Sequence, residues 1–189
     1  QKIQSIIESS IAVKQQYVND PAFLDKINAS VSIVATAFKN GFKVQFCGNG
    51  GSAADAQHLA AEFSGRFYKN RKALPSDALH CNSSYVTAVA NDYSYDDIYS
   101  RLVEGTMYKG DVLVGISTSG NSGNIVKAFE MAKSMGIVTI GFTGAPGGKM
   151  SELSDVLINV PSTDTPRIQE SHILIGHIIC ELVEAQLFA

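Results

Sequence analysis

Residues 44–62 read VQFCGNGGSAADAQHLAAE and residues 112–125 read VLVGISTSGNSGNI. Each stretch opens on a short apolar run, passes through glycines and hydroxyl residues, and continues with helical spacing. A strand that ends in a tight turn and leads into a helix is the unit of a parallel sheet. Such strands are buried on both faces and read as near-continuous apolar runs. Three more runs of this kind occur, Ala78–Cys81, Val138–Phe142 and Val156–Val160, with helical segments between most of the five. The pattern predicts an α/β fold: a three-layer, doubly wound, five-stranded parallel sheet in the flavodoxin-like order 2-1-3-4-5. In that order the chain reverses direction between the first and third strands, and ligands bind there, at the carboxyl ends of the strands. The loops after those two strands are Gly48–Ser52 and Ser117–Ser122, so topology and composition point to one crevice.

Helices are expected to flank this core. Ile3, Ile6, Ile7 and Ile11 form one stripe. Asp20 can cap a second helix with Pro21 in its first turn, and Phe23, Leu24, Ile27, Val31, Val34 and Phe38 recur three and four apart before Asn40-Gly41 ends it. From Arg167 to Leu187 there is no proline and only Gly176, and Ile173, Leu174, Ile178, Ile179, Leu182 and Val183 form a wide apolar face. The reading is a single domain over residues 1–189: N-terminal helices over 1–41, an α/β core over 42–164 and a C-terminal helix over 165–189. Ile6, Ile7, Ile11, Phe23, Ile27, Ile178, Ile179 and Leu182 exceed what one five-stranded sheet needs to cover it. A soluble monomer rarely exposes so large an apolar patch, so these ends are expected to be partly intersubunit.

Composition narrows the function classes. The chain has 189 residues, 45% of them hydrophobic, which excludes disorder. Charged residues make up 17%, against a typical ~25%, consistent with surface hidden in an oligomer. The net charge of -3 implies no basic face for nucleic acid. No run approaches the ~20 apolar residues of a membrane span. The first ten residues, QKIQSIIESS, have no basic stretch followed by an apolar core, so no secretory signal is expected in them. Cys47, Cys81 and Cys180 are widely spaced beside apolar runs and read as buried free thiols in a reducing cytosol.

Both loops lead from a strand into a helix, whose N-terminus offers unpaired N–H groups and partial positive charge to an anion. Ser117, Thr118, Ser119 and Ser122 supply more hydroxyls than capping one helix requires, which favours phosphate binding over an ordinary cap and turn. Gly48-Asn49-Gly50-Gly51-Ser52-Ala53 matches G-x-G-x-x-A, but a dinucleotide fingerprint wants an acid about 20 residues on, at the end of the second strand. That strand is followed by Asn82-Ser83-Ser84. A P-loop also fails, because Gly148-Lys149 precedes Met150 and Thr143 stands where its first glycine belongs. One anion and many hydroxyl contacts fit a sugar phosphate.

His58 and Glu62 lie four apart on one helix face, with Asp55 and Gln57 nearby. One turn apart, such a pair can chelate a metal or share proton transfer, or can be a solvated face. Arg167, Gln169, Glu170, His172 and His177 lie on the last helix. His177 sits in a very apolar stretch that also suits a core or interface histidine. Gln169 and His177 are eight residues, about 12 Å, apart along it, so their side chains converge only by leaning toward each other. His80 is read as a structural strand residue, and His172 is left open.

Taken together, CGNGGSAADAQHLAAEFSGRF (47–67), AVANDYSYDDIYSR (88–101), GDVLVGISTSGNSGNI (110–125) and RIQESHILIGHIICELVE (167–184) resemble the phosphoheptose isomerases, a family of the sugar-isomerase (SIS) fold. The resemblance implies an aldose–ketose isomerase. It converts sedoheptulose 7-phosphate to D-glycero-D-manno-heptose 7-phosphate through an enediol, toward bacterial lipopolysaccharide, capsule or S-layer heptoses. It implies substrate contacts from Asn49, Gly50, Gly51, Ser52, Glu62, Asn91, Asp92 and Gln169, with Ser117, Thr118, Ser119 and Ser122 on the phosphate. It implies one zinc per subunit held by His58, Glu62, Gln169 and His177, an acid–base pair of Glu62 and His177, and a cytoplasmic homotetramer with shared active sites. Pro166 departs from some relatives, which carry an acidic residue there. Two rivals share the loops: an SIS-fold regulator of replication initiation, which lacks the carboxylate four residues after the histidine, and a sugar-phosphate-sensing module, which needs none of His58, Glu62 and His177. Glu62 favours the enzyme.

Overall fold

The computed structural model describes residues 1–188. Helices α1 (Lys2–Val18) and α2 (Pro21–Lys39) precede strand β1 (Val44–Gly48) and α3 (Gly51–Ser64). Then come β2 (Ser76–Ala78), α4 (Ser83–Asp92), a 3₁₀ turn at Tyr95–Asp97, α5 (Ile98–Thr106), β3 (Val112–Ile116) and α6 (Gly123–Ser134). The chain continues through β4 (Val138–Thr143), the short α7 (Met150–Leu153), β5 (Val156–Asn159) and α8 (Thr165–Leu187). The five strands are parallel in the expected order β2-β1-β3-β4-β5. Gly48 is paired with Ile116, so the loops after β1 and β3 leave the sheet side by side.

The sheet has two cores. Val44, Phe46, Val114 and Ile140 pack toward α2, α3 and α8, while Cys47, Leu113, Ile125 and Phe129 join α4, α5 and α6 on the other side. The Asp20 cap forms as expected, its carboxylate accepting the N–H groups of Ala22 at 3.0 Å and Phe23 at 3.3 Å. Among the described residues no helix is long and apolar enough to cross a membrane.

Four expectations need correction. The second strand is Ser76–Ala78 and not Ala78–Cys81. It is an edge strand and needs fewer apolar residues. Its buried successor Leu79 only donates to Phe46 O at 2.9 Å before a turn closes from Cys81 N to Ala78 O. His80 therefore lies in that turn, not in a strand. The same turn leaves Cys81 exposed, whereas Cys47 and Cys180 are buried as expected. Finally, Phe23, Ile27 and Ile179 are buried within one chain at 4%, 4% and 6% exposure, so they belong to its own core and not to an intersubunit face.

His172, left open by the sequence, is a core residue. It is wholly buried, its Nε2 lies 3.1 Å from Thr143 O, and its Nδ1 has no partner. Burial lowers its pKa from 6.5 to about 4, against a smaller opposing effect of the Thr143 carbonyl. The unfolded chain takes up this proton near pH 6.5 and the folded one only near 4. Stability from His172 is therefore complete above pH 6.5 and lost as pH falls toward 4, about 3 kcal/mol in all. Denaturant titrations of the wild type and His172→Gln between pH 7 and 4 should show this slope in the wild type alone.

Candidate active site

The loop after β1 is held by a network of side chains. The amides of Asn49 and Asn124 pair reciprocally, Asn49 Nδ2 donating to Asn124 Oδ1 at 2.9 Å and Asn124 Nδ2 donating to Asn49 Oδ1 at 2.8 Å. The Tyr95 hydroxyl donates to the same Asn49 oxygen at 3.0 Å, and the buried Tyr99 hydroxyl donates to Gly48 O. Asn124 lies in the first turn of α6, so this pair ties the loop after β1 to the helix that follows the loop after β3. Asn91 and Asp92 are exposed at the end of α4, hydrogen-bonded to each other at 2.9 Å, just before the turn that carries Tyr95.

The second loop does not behave as a simple cap. Ser122 occupies the N-cap of α6 but makes no side-chain capping bond. Its hydroxyl lies 2.8 Å from Ser117 Oγ, and Ser119 Oγ accepts Asn121 N–H at 3.2 Å. Gly120 has φ 66°, and a Cβ there would stand 2.0 Å from Gly147 O, so this turn requires glycine twice over. Thr118, Ser119, Asn121, Ser162, Thr163 and Thr165 line a cleft between this loop and the start of α8. The result is a hydroxyl-rich concavity beside a helix N-terminus, the chemistry that suits a phosphate.

Across α3, His58 and Glu62 share a face as their spacing predicts, with His58 Nε2 3.1 Å from Glu62 Oε1. His177 reaches them from α8, its Nε2 3.3 Å from His58 Nε2. Gly176 makes this approach possible, because a Cβ there would stand 2.5 Å from Leu59 of α3. His58 is exposed, while Glu62 and His177 are half-buried. One turn before His58, burial raises the pKa of Asp55, partly offset by His58 itself. Gln169 packs at the other end of α3, where a Cβ on Gly51 would meet its Nε2 at 2.7 Å. Of the four ligands the resemblance implies, the structure therefore brings three together and sets the fourth against the first turn of α3.

The donor set fits a divalent metal. The ligand atoms of His58, Glu62 and His177 lie within 4.8 Å of one another. His58 Nε2 faces both other groups, yet an imidazole nitrogen offers one N–H or one lone pair and cannot serve both. A cation between the three resolves that conflict, and two imidazoles with a carboxylate are zinc donors.

Sequence reasoning missed the Asn124, Tyr95 and Tyr99 contacts, and also a buried ion pair, Arg71 with Glu184 at 2.7 Å. Asn124 stands inside the GNSGNI run, so its position next to the second loop was a usable signal. Arg71 and Glu184 carried none.

The comparisons with known proteins agree with this geometry. The SIS domain model matches residues 9–144. The phosphoheptose isomerase of Clostridium acetobutylicum is 53% identical over 186 residues, covering 98% of this chain and 95% of its own length. The structure of phosphoheptose isomerase from Neisseria gonorrhoeae aligns with a TM-score of 0.91 at 38% identity, over 97% of both chains. That of a phosphoheptose isomerase from Francisella tularensis aligns at 0.92 and 34%, again over 97% of both. With this fold, these loops and this likeness over nearly its whole length, the chain belongs to the phosphoheptose isomerase family of SIS-domain proteins.

Proposed function

We propose that this protein is a sugar-phosphate isomerase that converts sedoheptulose 7-phosphate to D-glycero-D-manno-heptose 7-phosphate. The observation that carries the reading is the meeting of His58, Glu62 and His177. A phosphate-sensing module or a non-catalytic regulator has no need of two imidazoles and a carboxylate gathered at one point.

Moving the carbonyl from C2 to C1 removes a proton from C1 and places one on C2, while the C2 oxygen gains a proton and the C1 oxygen loses one. Glu62 takes the carbon proton and returns it to C2. His177 gives a proton to the C2 oxygen and accepts the one leaving the C1 oxygen. Both tasks need groups within hydrogen-bond reach of the two reacting carbons. Asn49, Gly50, Gly51 and Ser52 orient the sugar, with Asn91, Asp92 and Gln169 at its hydroxyls. Ser117, Thr118, Ser119 and Ser122 hold the phosphate and so set which carbons face Glu62. Zinc, which His58, Glu62, His177 and Gln169 would hold, would polarise the carbonyl. Pro166 offers no side-chain donor or acceptor, so any contact that an acidic residue makes there in relatives is lost in this chain. In this reading residues 1–189 act as one SIS domain in a cytoplasmic homotetramer that feeds the heptoses of surface polysaccharides. The exposed isoleucines of α1 support the assembly.

The direct test is incubation with sedoheptulose 7-phosphate, followed by NMR. Appearance of the aldose phosphate supports the reading, and its absence with both zinc-loaded and metal-free protein rejects it. The phosphate loop is tested separately. Ser119→Ala and Ser122→Ala should each weaken substrate binding by about 1–3 kcal/mol, as expected for a hydroxyl lost from a charged group. Calorimetry that finds unchanged affinity in both variants would return the loop to an ordinary helix start.

A further inference from the structure

Arg71 and Glu184 form an ion pair with side-chain exposures of only 2% and 3%. Every polar atom of the pair is engaged. Glu184 Oε1 accepts Arg71 Nε–H at 2.7 Å and Phe67 N–H at 3.1 Å, and its Oε2 accepts the N–H groups of Tyr68 at 2.7 Å and Lys69 at 2.8 Å. Arg71 Nη2 donates to the backbone carbonyl of Glu62 at 2.8 Å, and Nη1 donates to those of Phe63 at 2.9 Å and Lys72 at 3.0 Å. One guanidinium thus holds the last turn of α3, at Glu62 itself. Its partner lies on α8 seven residues beyond His177, two turns along the same face. Between them the captured segment places the Phe67 ring 5.9 Å from the His177 ring.

Helix packing alone does not demand this arrangement. A buried ion pair has a large desolvation cost, and apolar residues of similar volume often stabilise as well or better. What the fork adds is register: five donors in a fixed plane, reading backbone carbonyls at set positions. The register it sets is that of α3 against α8, the two helices that bring together His58, Glu62 and His177.

We propose that Arg71 and Glu184 are positioning residues for the His58–Glu62–His177 cluster, clamping the end of α3 to α8 so that the three donor atoms converge. The inference rests on the reading of that cluster as a zinc-holding acid–base site. Burial works against the Glu184 charge, but the N–H groups of Lys69 and Phe67, the Arg71 guanidinium and the Tyr68 N–H outweigh it and hold the pKa at about 2, so the clamp is ionised throughout the working range.

The test uses Arg71→Lys, which keeps the charge opposite Glu184 but loses the planar fork, and Glu184→Gln, which keeps the shape. A third variant, Met107→Ala, lowers stability from the opposite side of the sheet, where Met107 is fully buried. Zinc affinity of the metal-free protein is read by competition with a chromophoric chelator, beside kcat, KM, inorganic phosphate affinity and Tm. Loss of a supporting residue around metal ligands costs about 10–100-fold in affinity or activity. That loss is expected in Arg71→Lys and Glu184→Gln, mainly in zinc affinity and kcat, with phosphate affinity unchanged. Met107→Ala should lower Tm and leave zinc affinity at the wild-type value. Wild-type zinc affinity and kcat in both clamp variants would overturn the proposal while leaving the metal site intact. Failure of the wild type itself to bind zinc would instead reject the metal reading, and the clamp's role with it.

Discussion

Glu62→Gln is expected to leave a folded protein that binds phosphate and turns over about 10²–10⁴ times more slowly. The magnitude is that of one acid–base group removed from a proton-transfer step. Gln matches Glu in shape and keeps a polar atom toward His58 Nε2, which stands 3.1 Å from the carboxylate. Glu62's backbone carbonyl, which accepts from Arg71, is untouched by the change. The fold should therefore survive. The loop proposed to hold the phosphate lies on other elements, after β3 and at the start of α6, so phosphate affinity should not follow turnover down. Turnover by NMR and phosphate affinity by calorimetry, measured on the same preparation, separate these effects. Near-wild-type turnover would remove Glu62 from the mechanism, whereas equal loss of turnover and phosphate affinity would point to a general disturbance of the crevice.

The parts of this site that could be read from the chain are those whose chemistry is local. A glycine- and hydroxyl-rich turn after an apolar run marks a strand–loop–helix unit without tertiary information, and two such units in the right strands already define a crevice. His58 and Glu62 are legible together because four residues is one helical turn. His177 reaches them across 119 residues of chain, and only the family resemblance joined it to that pair. The Asn49–Asn124 pair spans 75 residues and the Arg71–Glu184 pair 113. Polar residues of this kind leave no periodic trace, since their meaning arises only when packing removes water around them. The misplacement of β2 has a related cause. Apolar runs report burial, and at a sheet edge burial and strand pairing are offset by a few residues.

A charge at Ile179 is expected to abolish folding, whereas a charge at Ile7 is expected to leave a folded chain and change its assembly. By sequence the two isoleucines look alike, each on a terminal helix with an apolar face. In the structure Ile179 is 6% exposed within the core that joins α8 to the sheet, and Ile7 is 55% exposed. An unpaired carboxylate at Ile179 would cost several kcal/mol of desolvation, a large part of the about 5–15 kcal/mol that holds a domain together. Ile179→Asp should therefore be insoluble or unfolded by circular dichroism, so its loss of activity would say nothing about assembly. Ile7 belongs to a stripe with Ile3, Ile6 and Ile11, which are 76%, 46% and 48% exposed. The helix beneath that stripe is already fixed to α8 by polar contacts, Arg167 reaching Ser9 Oγ at 3.1 Å and Ser10 Oγ donating to Glu170 at 2.6 Å. The stripe is thus free to meet another copy without unravelling its own chain. Ile7→Glu should retain native circular dichroism while light scattering shows a smaller species than the wild type, and turnover should fall if the active sites are shared between subunits. A wild type with the mass of a single chain and full activity would defeat the assembly reading, and a well-folded Ile179→Asp would defeat the assignment of that residue to the core.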